Sequence, residues 1–403
     1  MNHRPHAPDR RRLLQAAPGG AALAPWASLS FGAAGAAGAN RFVLVLLRGG
    51  MDGLYAAPAL GDPEFAAARG PLGQYAEPTL ALQNGFALHP ALAQLHASYA
   101  QREMLLLHAV AWPYRERSHF DAQQMLESGG TRPHELTTGW LGRALGAAGG
   151  KGMALATAVP LVLRGPATVD SWAPSILPDP SADLVARLER LYGADPALAT
   201  ALQRAKALHF DAAMMAEMKD TAAEPMAGGG RRGNLAVLAQ RAVEFLAQPD
   251  GAQVAVLEMG GWDSHANQAN PNAATIAALR QLDAGLATLR DGLRAKGVWP
   301  RTVVAVVTEF GREVAINGTQ GTDHGTGGAA FVLGGAVRGG RVVTDWPGLA
   351  KKDRFEGRDL RATTDLRALF KGVLGDHLRL ASAAIERDVF PGSAAVRPLP
   401  LLA

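Results

Sequence analysis

Cysteine is missing from all 403 residues of the chain. Its absence excludes disulfides, thiolate zinc sites, iron–sulfur clusters and a cysteine nucleophile. It does not argue against an oxidising compartment, because a chain of this length buries a core without covalent staples. Aromatic residues are scarce, at 6%. After the first 39 residues no segment has the length and continuity of a membrane-spanning helix. An excess of one charge is missing too. The formal net charge is +4, but Arg4, Arg10, Arg11, Arg12 and Asp9 lie in the first 39 residues, and without them 36 basic residues face 35 acidic ones. Nucleic-acid binding needs a concentrated basic face, and none is left. No internal repeat of fixed period is present. Gly-x-Ser-x-Gly, His-Glu-x-x-His and a complete phosphate-binding loop are likewise absent.

What is present is a globular composition, 48% apolar with a mean hydropathy of +0.01. The first 39 residues read as an export signal. Arg10-Arg11-Arg12-Leu13-Leu14 is a twin-arginine motif, a weakly apolar Ala-rich stretch follows, and Ala37-Gly38-Ala39 fits a small-residue cleavage site. Pro18, Gly19, Gly20 and Pro25 interrupt the apolar stretch, so no stable membrane span is expected. The mature chain, 40–403, is expected to be one domain with a helical insertion around 181–248, in the periplasm or secreted.

The chain is organised around residues 41–54. Phe42 to Leu47 is an unbroken apolar run, too short for a core helix and stopped by Gly49, Gly50 and Gly53. It reads as a strand buried on both faces, inside a parallel sheet. Similar buried strands are expected at Met104–Val110, Ala154–Leu163, Val254–Met259, Thr302–Thr308 and Ala330–Leu333. Between them, helices are expected at Pro90–Ala100, from Ser118 through Glu127, in two pieces over 181–225, at Asn234–Gln248, at Ala273–Lys296 and at Thr363–Leu374. Alternating strands and helices predict an α/β fold with a mainly parallel sheet.

Polar groups cluster just beyond these strands. Asp52, Ser118, Asp263, His265, Glu309, Asp323 and His324 all fall after a buried run or in the loop beyond one. Each has an ordinary explanation. Ser118 is a natural helix N-cap, Asp263 suits an Asx turn, and Glu309 can pair with Arg312 on the surface. In a parallel sheet they converge on one edge, where ligands bind in open α/β folds. Several carboxylates packed together repel unless protonated or bound to cations. Oxygen and imidazole donors without sulfur suit Zn, Mn, Mg or Ca. His119 and Asp121 are further candidates, but at i and i+2 on a helix at most one faces a site shared with Ser118.

Five ordered motifs carry a resemblance: Arg48-Gly49-Gly50-Met51-Asp52-Gly53, Ser118-His119-Phe120-Asp121, Gly260-Gly261-Trp262-Asp263-Ser264-His265, Thr308-Glu309-Phe310-Gly311-Arg312 and Gly321-Thr322-Asp323-His324-Gly325. Together they resemble the bacterial DUF1501 family, which is similar to the alkaline phosphatase–sulfatase superfamily. The resemblance implies a three-layer α/β/α fold, alkaline phosphatase-like, with a metal site of one or two divalent ions at the strand ends. It implies Asp52 as a ligand of one metal, Asp263, His265 and His324 as ligands of the other, and Ser118 as the nucleophile. Glu309-Phe310 stands where an Asp-His pair is usual, and phenylalanine cannot ligate. The formylglycine sulfatase motif is absent.

These observations predict an exported metal-dependent hydrolase of a phosphate or sulfate ester, small or glycan-borne. The expected metal ligands are Asp52, Asp263, His265, Glu309, Asp323 and His324. Ser118, His119 and Arg312 are the expected catalytic groups, with Arg48 or Arg312 holding the oxyanion. The expected partners are the ester substrate and the twin-arginine export machinery. The alternative is an exported binding or assembly protein that keeps the fold without turnover; a metal-free serine hydrolase ranks third, for want of an evident base.

Overall fold

The computed structural model describes residues 38–174, 180–213 and 234–403, with the backbone alone over 207–213. The twin-arginine motif, most of the expected signal and the end of the expected second helix of 181–225 lie outside the described residues.

The described residues form eleven strands, in chain order β1 (Arg41–Leu47), β2 (Leu80–Ala81), β3 (Ala87–Leu88), β4 (Met104–Ala111), β5 (Lys151–Leu155), β6 (Thr168–Ser171), β7 (Val254–Met259), β8 (Thr302–Thr308), β9 (Gly328–Leu333), β10 (Arg341–Val343) and β11 (Thr364–Asp365). β2 and β3 make a small antiparallel pair of their own. The others form one sheet in the order β10-β4-β9-β8-β1-β7-β5-β6, with β11 also on β4. β1 lies in the middle and pairs in parallel with β7 and β8. Every pairing in this sheet is parallel except those of β9, which runs antiparallel to both β4 and β8.

The alternation of β1 explains the layers. Successive strand side chains point to opposite faces. Val43, Val45 and Leu47 join a core built with Leu95, Leu238, Leu279 and Leu286, from helices on one side. Phe42, Leu44 and Leu46 join a second core with Met125, Trp140, Leu145 and Phe370, from helices on the other. All seven residues of β1 are buried. Burying each Leu or Val side chain is worth about 1.5–3 kcal/mol, so both helical layers are held on the same strand. The result is a three-layer α/β/α sandwich.

Three features differ from the sequence reading. The strand expected over 154–163 stops at Leu155, and Leu161–Leu163 forms a 3-10 turn after Pro160. The late helix begins at Leu366 with Asp365 as its cap, and Thr364–Asp365 is a strand. The helix Leu235–Ala247 is no outlying elaboration: Leu235, Leu238, Ala242 and Leu246 are buried in the first core. Among the described residues, no helix is long and apolar enough to cross a membrane.

Candidate metal centre

The sheet's directions decide what meets at its edge. β1, β4, β7 and β8 share one direction, so residues 48–52, 112–119, 260–265 and 309–312 all leave from the same edge. β9 runs the other way and begins there, so Asp323 and His324 arrive before their strand. The loops lie against each other closely. A Cβ on Gly49, which holds φ +121°, would stand 2.6 Å from the Asp263 backbone nitrogen, and one on Gly321 would stand 2.2 Å from the His265 carbonyl carbon. Only hydrogen at these positions allows the contact.

Three imidazoles and one carboxylate meet here. His119 Nε2 lies 3.0 Å from His324 Nε2 and 3.5 Å from Asp263 Oδ2. His265 Nε2 lies 3.0 Å from His324 Nε2 and 2.9 Å from Asp263 Oδ1. His324 Nε2 is 3.3 Å from Asp263 Oδ1. One donor atom each from His119, Asp263 and His324 falls within 4.8 Å of the others.

The opposite edge of each ring fixes its tautomer. His119 Nδ1 is 2.8 Å from Glu309 Oε1, His265 Nδ1 is 2.9 Å from Asp323 Oδ1, and His324 Nδ1 is 3.0 Å from the Arg117 carbonyl. Carbonyls and ionised carboxylates only accept, so each Nδ1 carries the proton. In the neutral rings each Nε2 then presents a lone pair to the others. Two lone pairs 3.0 Å apart repel unless a proton or a cation lies between them. The donor set, three imidazoles and a carboxylate each held from behind, fits a divalent transition ion.

The electrostatics follow from these contacts. Burial pushes the Glu309 carboxyl up, but hydrogen bonds from His119, Gln123 and the Gly49 N–H outweigh it and leave the group at about 2. The Glu309 bond in turn raises His119. Burial lowers His324. Asp263 is pushed up by burial and more than restored by Arg312, whose Nη1 donates to Oδ1 at 2.8 Å, so it ends below its ordinary value. The His265 bond holds Asp323 low. Phe310 is buried against the cluster, its ring centroid 4.6 Å from that of His119 and 5.1 Å from that of His324.

The expected site residues therefore divide. Asp263, His265 and His324 come together. Glu309 and Asp323 do not present themselves as ligands: they stand behind histidines, and Glu309 Oε1 already receives three donors. Asp52 is buried at 5% exposure, where it caps Tyr55 and accepts from Arg69 Nη2 at 2.5 Å and Gln268 Nε2 at 2.8 Å. It touches the cluster only indirectly, through Gln268, Thr322 and Arg312. Arg48 is not free for an oxyanion, since Glu127 at 2.8 Å and Glu258 at 2.6 Å close it off. Arg312, its side chain fully buried, donates from Nη1 to Asp263 and from Nε to Thr322, and its Nη2 has no partner among the described residues. Ser118 caps the helix His119–Ser128, its Oγ 3.5 Å from the Asp121 N–H, and bonds Tyr114.

Some contributors went unnoticed in the sequence. Gln123 was signalled by its spacing, one turn after His119 and on the same helix face. Arg117 was not: it takes the left-handed conformation at φ +61° to aim its carbonyl at His324, and arginine carries no signal for that. Arg69, the partner of Asp52, lies on the helix Phe65–Arg69.

Comparison with known proteins adds the following. A search of curated proteins returns no match. Among solved structures, the chain is similar to the zinc-complexed C-terminal periplasmic domain of EptC from Escherichia coli, with 13% identity over 89% of this chain and 88% of that one, at a TM-score of 0.42. It is similar to the phosphonate monoester hydrolase of Agrobacterium radiobacter, with 12% identity over 85% and 74% and a TM-score of 0.40. It is also similar to a protein in the alkaline phosphatase superfamily from Vibrio parahaemolyticus, with 12% identity over 74% and 60% and a TM-score of 0.38. Residues 93–389 match the family described as "Protein of unknown function (DUF1501)", and the chain belongs to that family.

Proposed function

We propose that the protein is an exported, metal-dependent hydrolase of a phosphate or sulfate ester, small or glycan-borne. The observation that carries the metal is the meeting of three Nε2 atoms whose rings are each protonated on the far side. Asp263, His265 and His324 would hold the ion, with His119 at the same point. A bound ion supplies Lewis acidity, polarising an ester oxygen and easing deprotonation of a hydroxyl or water. The chain's own groups do the rest. Arg312 fixes Asp263 and offsets its charge. Glu309 keeps the Nδ1 proton on His119. Ser118 stands at the N-terminus of the helix His119–Ser128, where backbone N–H groups favour an anionic oxygen, and it is the proposed nucleophile. Phe310 excludes water from one side of the rings.

Export rests on the twin-arginine motif at 10–14, and we read 40–403 as one domain in the periplasm or outside the cell. Fractionation of cells expressing the full chain, with Arg10 and Arg11 intact or replaced by Lys, tests this. Retention of the double variant in the cytoplasm supports it, and equal export of both forms refutes it.

The enzymatic reading is tested by elemental analysis of the purified protein after loading with Zn, Mn, Mg or Ca. The expected result is about one ion per chain, lost in the double variant Asp263→Ala, His324→Ala, and hydrolysis of a member of an ester panel that Ser118→Ala abolishes. No bound ion under any loading overturns the reading. A second reading, an exported binding protein without turnover, is favoured by one observation: four protein groups meet at the centre, whereas catalytic zinc sites keep one position open. Metal binding with no hydrolysis across the panel selects it.

A further inference from the structure

We infer that His119 is a fourth metal ligand, so that protein donors fill the coordination sphere in the resting protein. The inference rests on the metal reading above and deepens it. Four observations carry it. His119 Nε2 reaches His324 Nε2 at the same 3.0 Å as His265 Nε2 does. Its Nδ1 is committed to Glu309, which is 2% exposed and anchored by the Gly49 N–H, Gln123 and Thr308. Its ring lies against Phe310, so rotation away from the centre would break both the hydrogen bond and the stacking. Its position is set by the Ser118-capped start of a ten-residue helix, not by a free loop. A general acid or base must be able to reach a substrate proton. His119 spends one nitrogen on Glu309 and the other on the cluster, so it is placed as a ligand.

With Asp263, His265 and His324, His119 would complete a four-donor set of three imidazoles and one carboxylate, the pattern of closed zinc sites. Substrate or water then gains access only by adding a fifth donor or by displacing His119. His119, with 21% of its side chain exposed against 45% for Asp263 and 46% for His265, lies on the inner side of the site, against buried Glu309 and Phe310.

X-ray absorption on the zinc-loaded protein counts the imidazoles directly. Three in the wild type support the inference, and two overturn it while leaving the metal reading intact. Cobalt-loaded protein gives a second measure that needs no enzymatic activity. His119→Ala is expected to lower cobalt affinity at least tenfold, to weaken the visible absorption of a four-coordinate ion, and to respond to added thiocyanate where the wild type does not. Added imidazole is expected to restore the wild-type spectrum. A spectrum and thiocyanate response identical in wild type and variant overturn the inference. Should His119→Ala not fold, the imidazole count in the wild type still decides. Failure of the wild type to take up zinc or cobalt overturns the underlying metal reading instead.

Discussion

Replacing Glu309 by Gln tests whether a carboxylate behind His119 tunes the centre. The substitution keeps the shape and a fitting set of hydrogen bonds. The amide oxygen can still accept from Gly49, His119 and Gln123, at the 2.8, 2.8 and 2.9 Å now seen. The amide nitrogen can donate to Thr308 Oγ1, whose own proton then goes to the Leu47 carbonyl, 2.9 Å away. The charge-assisted bonds that hold the carboxylate at about 2 are weakened, so metal-free stability is expected to fall by about 1–3 kcal/mol. What disappears is the negative charge that makes His119 a better donor. Loss of a carboxylate behind a ligating histidine typically costs 10–100-fold in metal affinity, or about 1.4–2.7 kcal/mol. With zinc at about 1,000 times the wild-type dissociation constant, binding adds about 4 kcal/mol to stability, and a 100-fold weaker variant keeps about 1.4. At about 2 °C per kcal/mol for a large chain, the difference is roughly 5 °C in Tm. Chelator competition gives the affinity, and thermal unfolding with and without zinc gives the shift. Equal affinity in both proteins refutes the reasoning. An equal zinc-induced rise in Tm in the two proteins also refutes it, since the carboxylate would then be structural only.

Three further outcomes are expected. His108 is fully buried between the Ala109 N–H and the Ala57 carbonyl, and burial, partly offset by the Ala57 bond, lowers it to about 4. Between pH 6.5 and 4 the unfolded chain takes a proton that the folded one refuses, so stability falls as pH falls, by about 2.5 kcal/mol at pH 4.5 from this group; urea unfolding should show a smaller loss in His108→Gln, and an unchanged one refutes the assignment. Arg69→Met removes the partner of buried Asp52 and is expected to cost about 3–5 kcal/mol; a urea midpoint shift under 1 kcal/mol would show that Gln268 and the Tyr55 N–H suffice. Gly321→Ala forces a methyl to within 2.2 Å of the His265 backbone, so it is expected to weaken zinc binding more than tenfold, whereas Gly318→Ala, with open space around it and no left-handed backbone, should leave the affinity within threefold; isothermal titration compares them.

The strands that meet at the centre were the most legible part of the chain. Val254–Met259 and Thr302–Thr308 are strands over the residues their largely apolar runs mark, with Glu258 the one charged residue, because a strand buried on both faces has few polar positions to blur its ends. The direction of β9 was not legible, since an apolar run reads the same either way. The meeting of Asp263, His265 and His324 could be anticipated from loops beyond strands. Which carboxylate touches the shared point and which stands behind a ring could not. Glu309 and Asp323 differ from Asp263 in where their hydrogen-bond partners lie: those of Glu309 include Gly49 and Gln123, far off in sequence, and those of Asp323 are His265, 58 residues away, and nearby Asn317. Phe310 was legible as a residue that cannot ligate, but its service as a wall for two histidines depends on the fold.

Because the four groups come from three separate stretches, their meeting point also ties the chain together. His119 and His324 are 205 residues apart, and His265 and His324 are 59 apart. Anything that grips all of them shuts two long loops in the unfolded ensemble at once, and loop closure costs more entropy the longer the loop. In a polypeptide that owns no sulfur bridge, a bound ion would serve as its crosslink, and its loss should loosen both sides of the sheet edge together.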